Sequence, residues 1–230
     1  NLWKCVEHIA SLSERTGKTL HLGLEPEPLG YFETSAETIA FFEQLRAEHP
    51  NDARLAAHLG VNYDTCHLAV EYEEAAEALG AFRAAGIRIS KLHLSAALKV
   101  TPDADTRARL KSFEEDVYLH QVIERQPDGT LTRHRDLDVA LAAETNADEW
   151  RIHFHIPLHS PDSEWFASTR DHIDGVLDVM QADPTLCSHL EMETYTWEVL
   201  PAEMKNRTVV EQLINEYDWT LVQLRARDLA

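Results

Sequence analysis

The chain has 230 residues, with 21 Lys and Arg against 40 Asp and Glu, giving a formal charge of -19. That length suits a single α/β domain with a sizeable core. The acidity argues against nucleic acid or an anionic membrane surface as a partner, because either would approach through a repulsive field.

Leu2, Val6, Ile9 and Leu12 recur at helical spacing, and Gly17 suits the position that ends such a helix. A strand-like run from Thr19 to Leu24 follows and ends at Glu25. Thr34-Ser35-Ala36-Glu37 reads as a capping box for a helix with Ile39, Phe42 and Leu45 on its apolar face. Leu59 to Tyr63 is the second strand, ending at Asp64 with His67 three residues on. A helix from about Glu71 carries Tyr72, Ala75, Leu79 and Phe82 and stops at Gly86, before a third strand from Ile87 to Leu92 that ends at His93.

Residues 95–149 are too long for an ordinary βα connection and read as an insertion. Val117 to Arg125 and Leu131 to Arg135 flank Pro127-Asp128-Gly129, a hairpin signal, and a short helix is expected around Asp138 to Ala143. Trp150 to Phe154 is the fourth strand, with His153 and His155 on one parity. Trp165 to Met180 reads as a helix, and Ser188 to Met192 as a fifth strand ending at Glu193. Thr208-Val209-Val210-Glu211 is a second capping box, opening a helix with Leu213, Ile214 and Tyr217.

This alternation implies an α/β fold with a parallel sheet and right-handed crossovers, one domain over residues 1–230. A full (β/α)8 TIM barrel takes roughly 250 residues and eight units. Five units, beginning mid-helix at Asn1 without methionine, lead to the expectation that these are its C-terminal five and that an N-terminal barrel half lies upstream. The three cysteines, Cys5, Cys66 and Cys187, have no C-x-x-C spacing and point to a reducing, cytoplasmic setting. No stretch approaches the ~18 apolar residues of a membrane span.

Five strand-like runs that end on or beside an acid or histidine are what a parallel barrel uses to build a divalent-metal site. Glu25, Asp64, His93 and Glu193 are the ligands expected of Mn, Mg, Co or Zn, with His67 beside them. Each has a plainer reading when taken alone. Asp64 suits the N-cap of the next helix, His93 suits a hydrogen-bonded core position, and Cys66 suits either a thiolate ligand or a small apolar residue. Lys99 is a candidate substrate contact or a solvated lysine, and Trp197 a substrate wall or a rim residue. His120, His153 and His155 are further possible ligands, with His155 also a candidate substrate contact.

Taken together, Glu25, Asp64-Thr65-Cys66-His67, His93-Leu94-Ser95 and Glu193-Thr194 resemble the fourth-, fifth-, sixth- and eighth-strand motifs of the xylose-isomerase-like TIM barrels. That superfamily contains sugar isomerases, epimerases and endonuclease-IV-type enzymes. Gly23 to Pro28, Lys91 to Leu98, Tyr118 to Gln121, His153 to Pro157 and Glu193 to Trp197 are similar to EboE-type metabolite traffic proteins. In the epimerases the residues matching Glu25, Asp64, His93 and Glu193 hold one divalent metal, the two glutamates exchange the proton, and the match to His67 contacts substrate. In the endonuclease branch that histidine joins a multi-zinc cluster, but no clear Asp-x-His pair follows His93 here. The resemblance therefore implies metal-dependent isomerase or epimerase chemistry on a small hydroxy-carbonyl, sugar or cyclitol-like metabolite. Zinc-dependent phosphoester hydrolysis and a non-catalytic metabolite-binding barrel are the alternatives.

Overall fold

The structure is a computed structural model and describes residues 1–194 and 207–230. It is a mixed α/β fold with two sheets, one parallel and one antiparallel. The parallel sheet has the order β1-β2-β3-β9, formed by β1 (Leu22–Leu24), β2 (Leu59–Asp64), β3 (Arg88–Leu94) and β9 (Leu190–Met192). The antiparallel sheet has the order β6-β5-β7-β4-β8, from β4 (Leu98–Val100), β5 (Val122–Arg125), β6 (Leu131–His134), β7 (Glu149–Ile152) and β8 (Ala167–Ser168).

Helices α1 (Leu2–Thr16), α2 (Ser35–Glu48), α3 (Ala53–His58), α4 (Thr65–Val70) and α5 (Ala75–Ala84) alternate with the first parallel strands. Two shorter helices, α6 (Ala104–Leu110) and α7 (Leu137–Ala142), sit among the antiparallel strands, and α8 (Arg170–Ala182) and α9 (Val209–Arg225) flank the last parallel strand. None of the described helices is long and apolar enough to cross a membrane.

Local signals set several boundaries. Gly17 takes a left-handed φ of 66° to end α1, and both capping boxes form, Thr34 with Glu37 and Thr208 with Glu211. The hairpin turn at Pro127-Asp128-Gly129 joins β5 to β6, with Gly129 at φ 85°. One face of the parallel sheet is apolar and dry. There Val61, Tyr63, Leu92 and Leu94 pack in a core with Phe42 of α2, Leu79 and Phe82 of α5, and Val176 and Leu177 of α8, all essentially buried.

Four expectations need correction. The Trp150 to Phe154 run is not the fourth parallel strand, since β7 pairs antiparallel with β4 and β5 while β3 pairs directly with β9. The reason is visible in its side chains. All six residues of β2 are buried, whereas β7 alternates half-buried Glu149 and Arg151 with buried Trp150 and Ile152, as suits an antiparallel strand with one wetter face. The helix expected from Glu71 begins only at Ala75, because Tyr72 takes a φ of 60° and stacks its ring under Arg151, 4.0 Å away.

The helix expected from Trp165 starts at Arg170, after the short strand β8. In α9 the expected face is reversed. Gln212, Glu216 and Thr220 are buried, and Leu213, Ile214 and Tyr217 are exposed. Glu216 turns inward because its Oε1 accepts hydrogen bonds from the Leu158 amide at 3.1 Å and the Thr194 hydroxyl at 2.5 Å.

The inner face of the parallel sheet has room for long side chains because Gly23 and Gly60 lie side by side in register. A Cβ on Gly60 would stand 2.5 Å from Ser90 Oγ and 2.6 Å from the Arg88 carbonyl oxygen. Gly60→Ala is therefore expected to destabilise the fold by about 1–3 kcal/mol through overpacking, read as a lower urea midpoint. An unchanged midpoint would show that the inner face can relax around a methyl group.

Candidate metal centre

Glu25, Asp64, His93 and Glu193 come together at the C-terminal ends of the four parallel strands. One ligand-type atom from each lies within 4.8 Å of every other. Parallel register produces this directly. Asp64 pairs with His93 across β2 and β3, and the Glu193 amide donates to the Leu94 carbonyl at 3.1 Å, placing Glu193 just past β9.

Asp64 fulfils both of its sequence readings at once. Its Oδ1 caps α4 by accepting from the His67 amide at 2.9 Å, and it also accepts from the Ser95 hydroxyl at 2.7 Å. Its Oδ2 is buried without a hydrogen-bond partner and lies 3.6 Å from His93 Nδ1. The same ring nitrogen is 3.1 Å from Glu25 Oε1 and 2.8 Å from Glu193 Oε2.

One imidazole nitrogen carries at most one proton and cannot satisfy three carboxylate oxygens. A cation at their common focus can. Opposed ligands of a divalent ion at about 2.0–2.3 Å would be roughly 4–4.6 Å apart, and the four atoms, all within 4.8 Å of one another, are close to that spacing. The two orphaned oxygens, Asp64 Oδ2 and Glu193 Oε2, belong to this focus, so the donor set fits a hard or borderline divalent metal.

Electrostatics agree. Burial disfavours a charged His93, but the carboxylates of Asp64, Glu193 and Glu25 outweigh it and raise its pKa to about 11. Burial would also raise Asp64, yet the neighbouring His67 charge and the close His93 ring hold it well below the usual carboxylate range. A protonated His93 thus acts as the local counter-ion for three acids.

Two supporting residues escaped the sequence reading. Asn62 donates to Glu25 Oε2 at 2.8 Å, and Ser95 both holds Asp64 and accepts from the Cys66 amide at 3.0 Å. The signal for Asn62 was its parity, two residues before Asp64 on the same face. Ser95 follows His93 by two and was equally legible on that basis.

His67 is not one of the four converging residues and starts a second group beside them. Its Nδ1 lies 3.0 Å from the Pro26 carbonyl and 3.6 Å from Glu25 Oε1, and its ring meets those of His153 and His155 at 4.6 and 5.6 Å. Asp64, His67 and His155 form one ligand-like triple, Glu27, His67 and His153 another, and Cys66, His153 and His155 a third. Burial lowers the pKa of His153 and of His155, favouring the neutral imidazole that ligates metals. His155 also contacts the Glu193 carbonyl through Nδ1 at 2.9 Å, so it sits against the first group as well.

The other candidates lie elsewhere. Lys99 is in β4, and its ammonium pairs with Asp171 of α8 at 2.8 Å. The candidate substrate contact thus lies within the antiparallel sheet and is engaged in an ion pair. His120 contacts the His153 carbonyl at 3.2 Å and Glu115 at 3.1 Å and joins none of these groups. Glu191, exposed on β9, pairs with Lys91 at 2.8 Å. Trp197 lies outside the described residues. The chain matches no family model, no curated protein and no solved structure.

Because His93 is raised to about 11 without metal, a divalent ion must displace a proton that is present throughout the neutral range. Apparent affinity for Mn or Co is expected to rise about tenfold per pH unit between pH 6 and 8. Calorimetry in buffers of different ionisation enthalpy should count one proton released per ion. Binding that is independent of pH in this window would contradict the imidazolium.

Proposed function

We propose that this chain is a divalent-metal-dependent isomerase or epimerase acting on a small hydroxy-carbonyl, sugar or cyclitol-like metabolite in the cytoplasm. The convergence of Glu25, Asp64, His93 and Glu193 on one focus carries the reading. The parallel strands that deliver them, and the motifs resembling xylose-isomerase-like barrels, support placement in that superfamily as part of a (β/α)8 barrel. The similarity to EboE-type proteins supports a metabolite-traffic role.

The four residues divide the work by exposure. The Asp64 side chain is fully buried and that of His93 nearly so, and they anchor the site. The Glu25 and Glu193 side chains are 29% and 32% exposed and face the open side. They come from the two edges of the parallel sheet, so a substrate lying over His93 has one carboxylate on each side. These four residues would hold a divalent cation, which would supply Lewis acidity when bound. Glu193 or Glu25 takes the proton from the adjacent carbon, and its counterpart returns one, as general base and acid. Asn62 holds Glu25 through Oε2, leaving Oε1 turned to the site. Glu216 steadies the other side by binding Thr194, the residue after Glu193.

A second reading, zinc-dependent phosphoester hydrolysis, is favoured by the adjoining triple of Asp64, His67 and His155, which shares Asp64 with the first group. Asp64, His67 and His155 would hold a further ion, which would supply added charge stabilisation to a phosphoryl group.

Metal content separates these readings. One Mn, Mg or Co per chain is expected, with deuterium entering the substrate carbon from heavy water across a panel of aldoses, ketoses and cyclitols. Glu193→Gln should lower that exchange by about 10² or more while sugar binding survives. Two or three zinc ions per chain with phosphodiesterase activity would establish the hydrolase instead. Metabolite binding with no exchange under any divalent metal would leave a carrier.

A further inference from the structure

The opposite end of the same strands holds a second polar site. A cleft of about 450 Å³ opens beside the lower half of β3, lined by His21, Arg88, Ser90, Arg83, Asp183 and Thr185 among others. It exists because β3 pairs with β9 only from Leu92 onward, leaving the earlier residues of β3 without a strand on that side. Arg88 lies five residues before His93, roughly 16 Å along the strand, so the cleft is separate from the metal centre.

Ser90 is the extra residue of a bulge, where the pairing steps from Val61–Ile89 to Asn62–Lys91. Bulges re-aim side chains and are frequent next to functional sites. Ser90 is 8% exposed, and its Oγ has no hydrogen-bond partner. An unmade hydrogen bond on a buried hydroxyl is unfavourable, and a ligand accepting from it would relieve that. Arg88 lies directly across from Gly60, and the absence of a Cβ there gives Arg88 and Ser90 their space.

The Arg88 guanidinium donates through Nη1 to the Ala57 carbonyl at 2.8 Å, and no described carboxylate lies within 4.0 Å of it. Its Nε and Nη2 edge remains, the fork that matches two oxygens of an oxyanion. Among the described residues, the one acid lining the cleft is already engaged, Asp183 by Arg83 at 2.8 Å and by the Thr185 hydroxyl at 2.6 Å. Burial and the charges of Arg88, His189 and His58 all hold His21 below its ordinary pKa, which marks a locally positive field. In a chain of net charge -19, such a spot is where an anion can approach.

We propose that this cleft binds a phosphate-type oxyanion, gripped by the free edge of Arg88 and the Ser90 hydroxyl. The test is calorimetric titration of the full chain with inorganic phosphate after chelation of metals, so that the strand-end centre does not contribute. Saturable binding of one phosphate per chain is expected, weakened about tenfold or more in Arg88→Gln and also weakened in Ser90→Ala, with circular dichroism unchanged. Absence of saturable binding, or native affinity in Arg88→Gln, overturns the proposal. Should Arg88→Gln fail to fold, Ser90→Ala decides alone, and native affinity there has the same consequence.

Discussion

Three carboxylates aimed at one imidazole nitrogen are the constraint on which this structure turns. Two like charges about 4 Å apart cost roughly 4 kcal/mol at an effective dielectric constant of 20, and the focus holds Glu25, Asp64 and Glu193 together. A cation must be present for the acids to stay there. In the absence of a metal the imidazolium of His93 serves, which is why its pKa is raised despite burial. The same geometry that demands a proton at neutral pH gives the site a donor set that could hold a divalent ion.

The fold supplies this geometry by treating the two faces of one sheet differently. Helices α2, α5 and α8 bury an aliphatic and aromatic face, while the inner face carries Asn62, Asp64, Lys91, His93 and Arg88 over the glycines of β1 and β2. Small residues in register let long side chains lie flat across neighbouring strands. Two of the three carboxylates are then held by their own hydrogen bonds, Glu25 by Asn62 and Asp64 by Ser95 and the His67 amide. Such pre-positioning removes the ordering cost that a loose acid would bring to ligand binding.

The antiparallel sheet is the other contributor. The turn that leaves β7 brings His153 and His155 against His67, and the Glu193 carbonyl fixes His155 in place. Asp64 is the hinge between the two ligand groups, since it belongs to both.

Much of this was legible in the sequence, for local reasons. Strand ends at Glu25, Asp64, His93 and Glu193 follow from short apolar runs and their breakers, and residues at matching ends of adjacent parallel strands must meet. The capping boxes at Thr34 and Thr208 and the Gly17 terminus are short-range chemistry and formed as the residue types dictate. Partnering is not local. Periodicity marks Trp150 to Ile152 as a strand but does not name its neighbour, and β4 and β5 claimed both of its edges. That choice moved Lys99 to an ion pair with Asp171 and brought His153 and His155 beside His67. The inward face of α9 was likewise decided at a distance, by the Leu158 amide and Thr194 hydroxyl that Glu216 satisfies. Hydrophobic pattern predicts which residues avoid water, but buried polar groups go where their hydrogen-bond partners are, and only the assembled chain determines where that is.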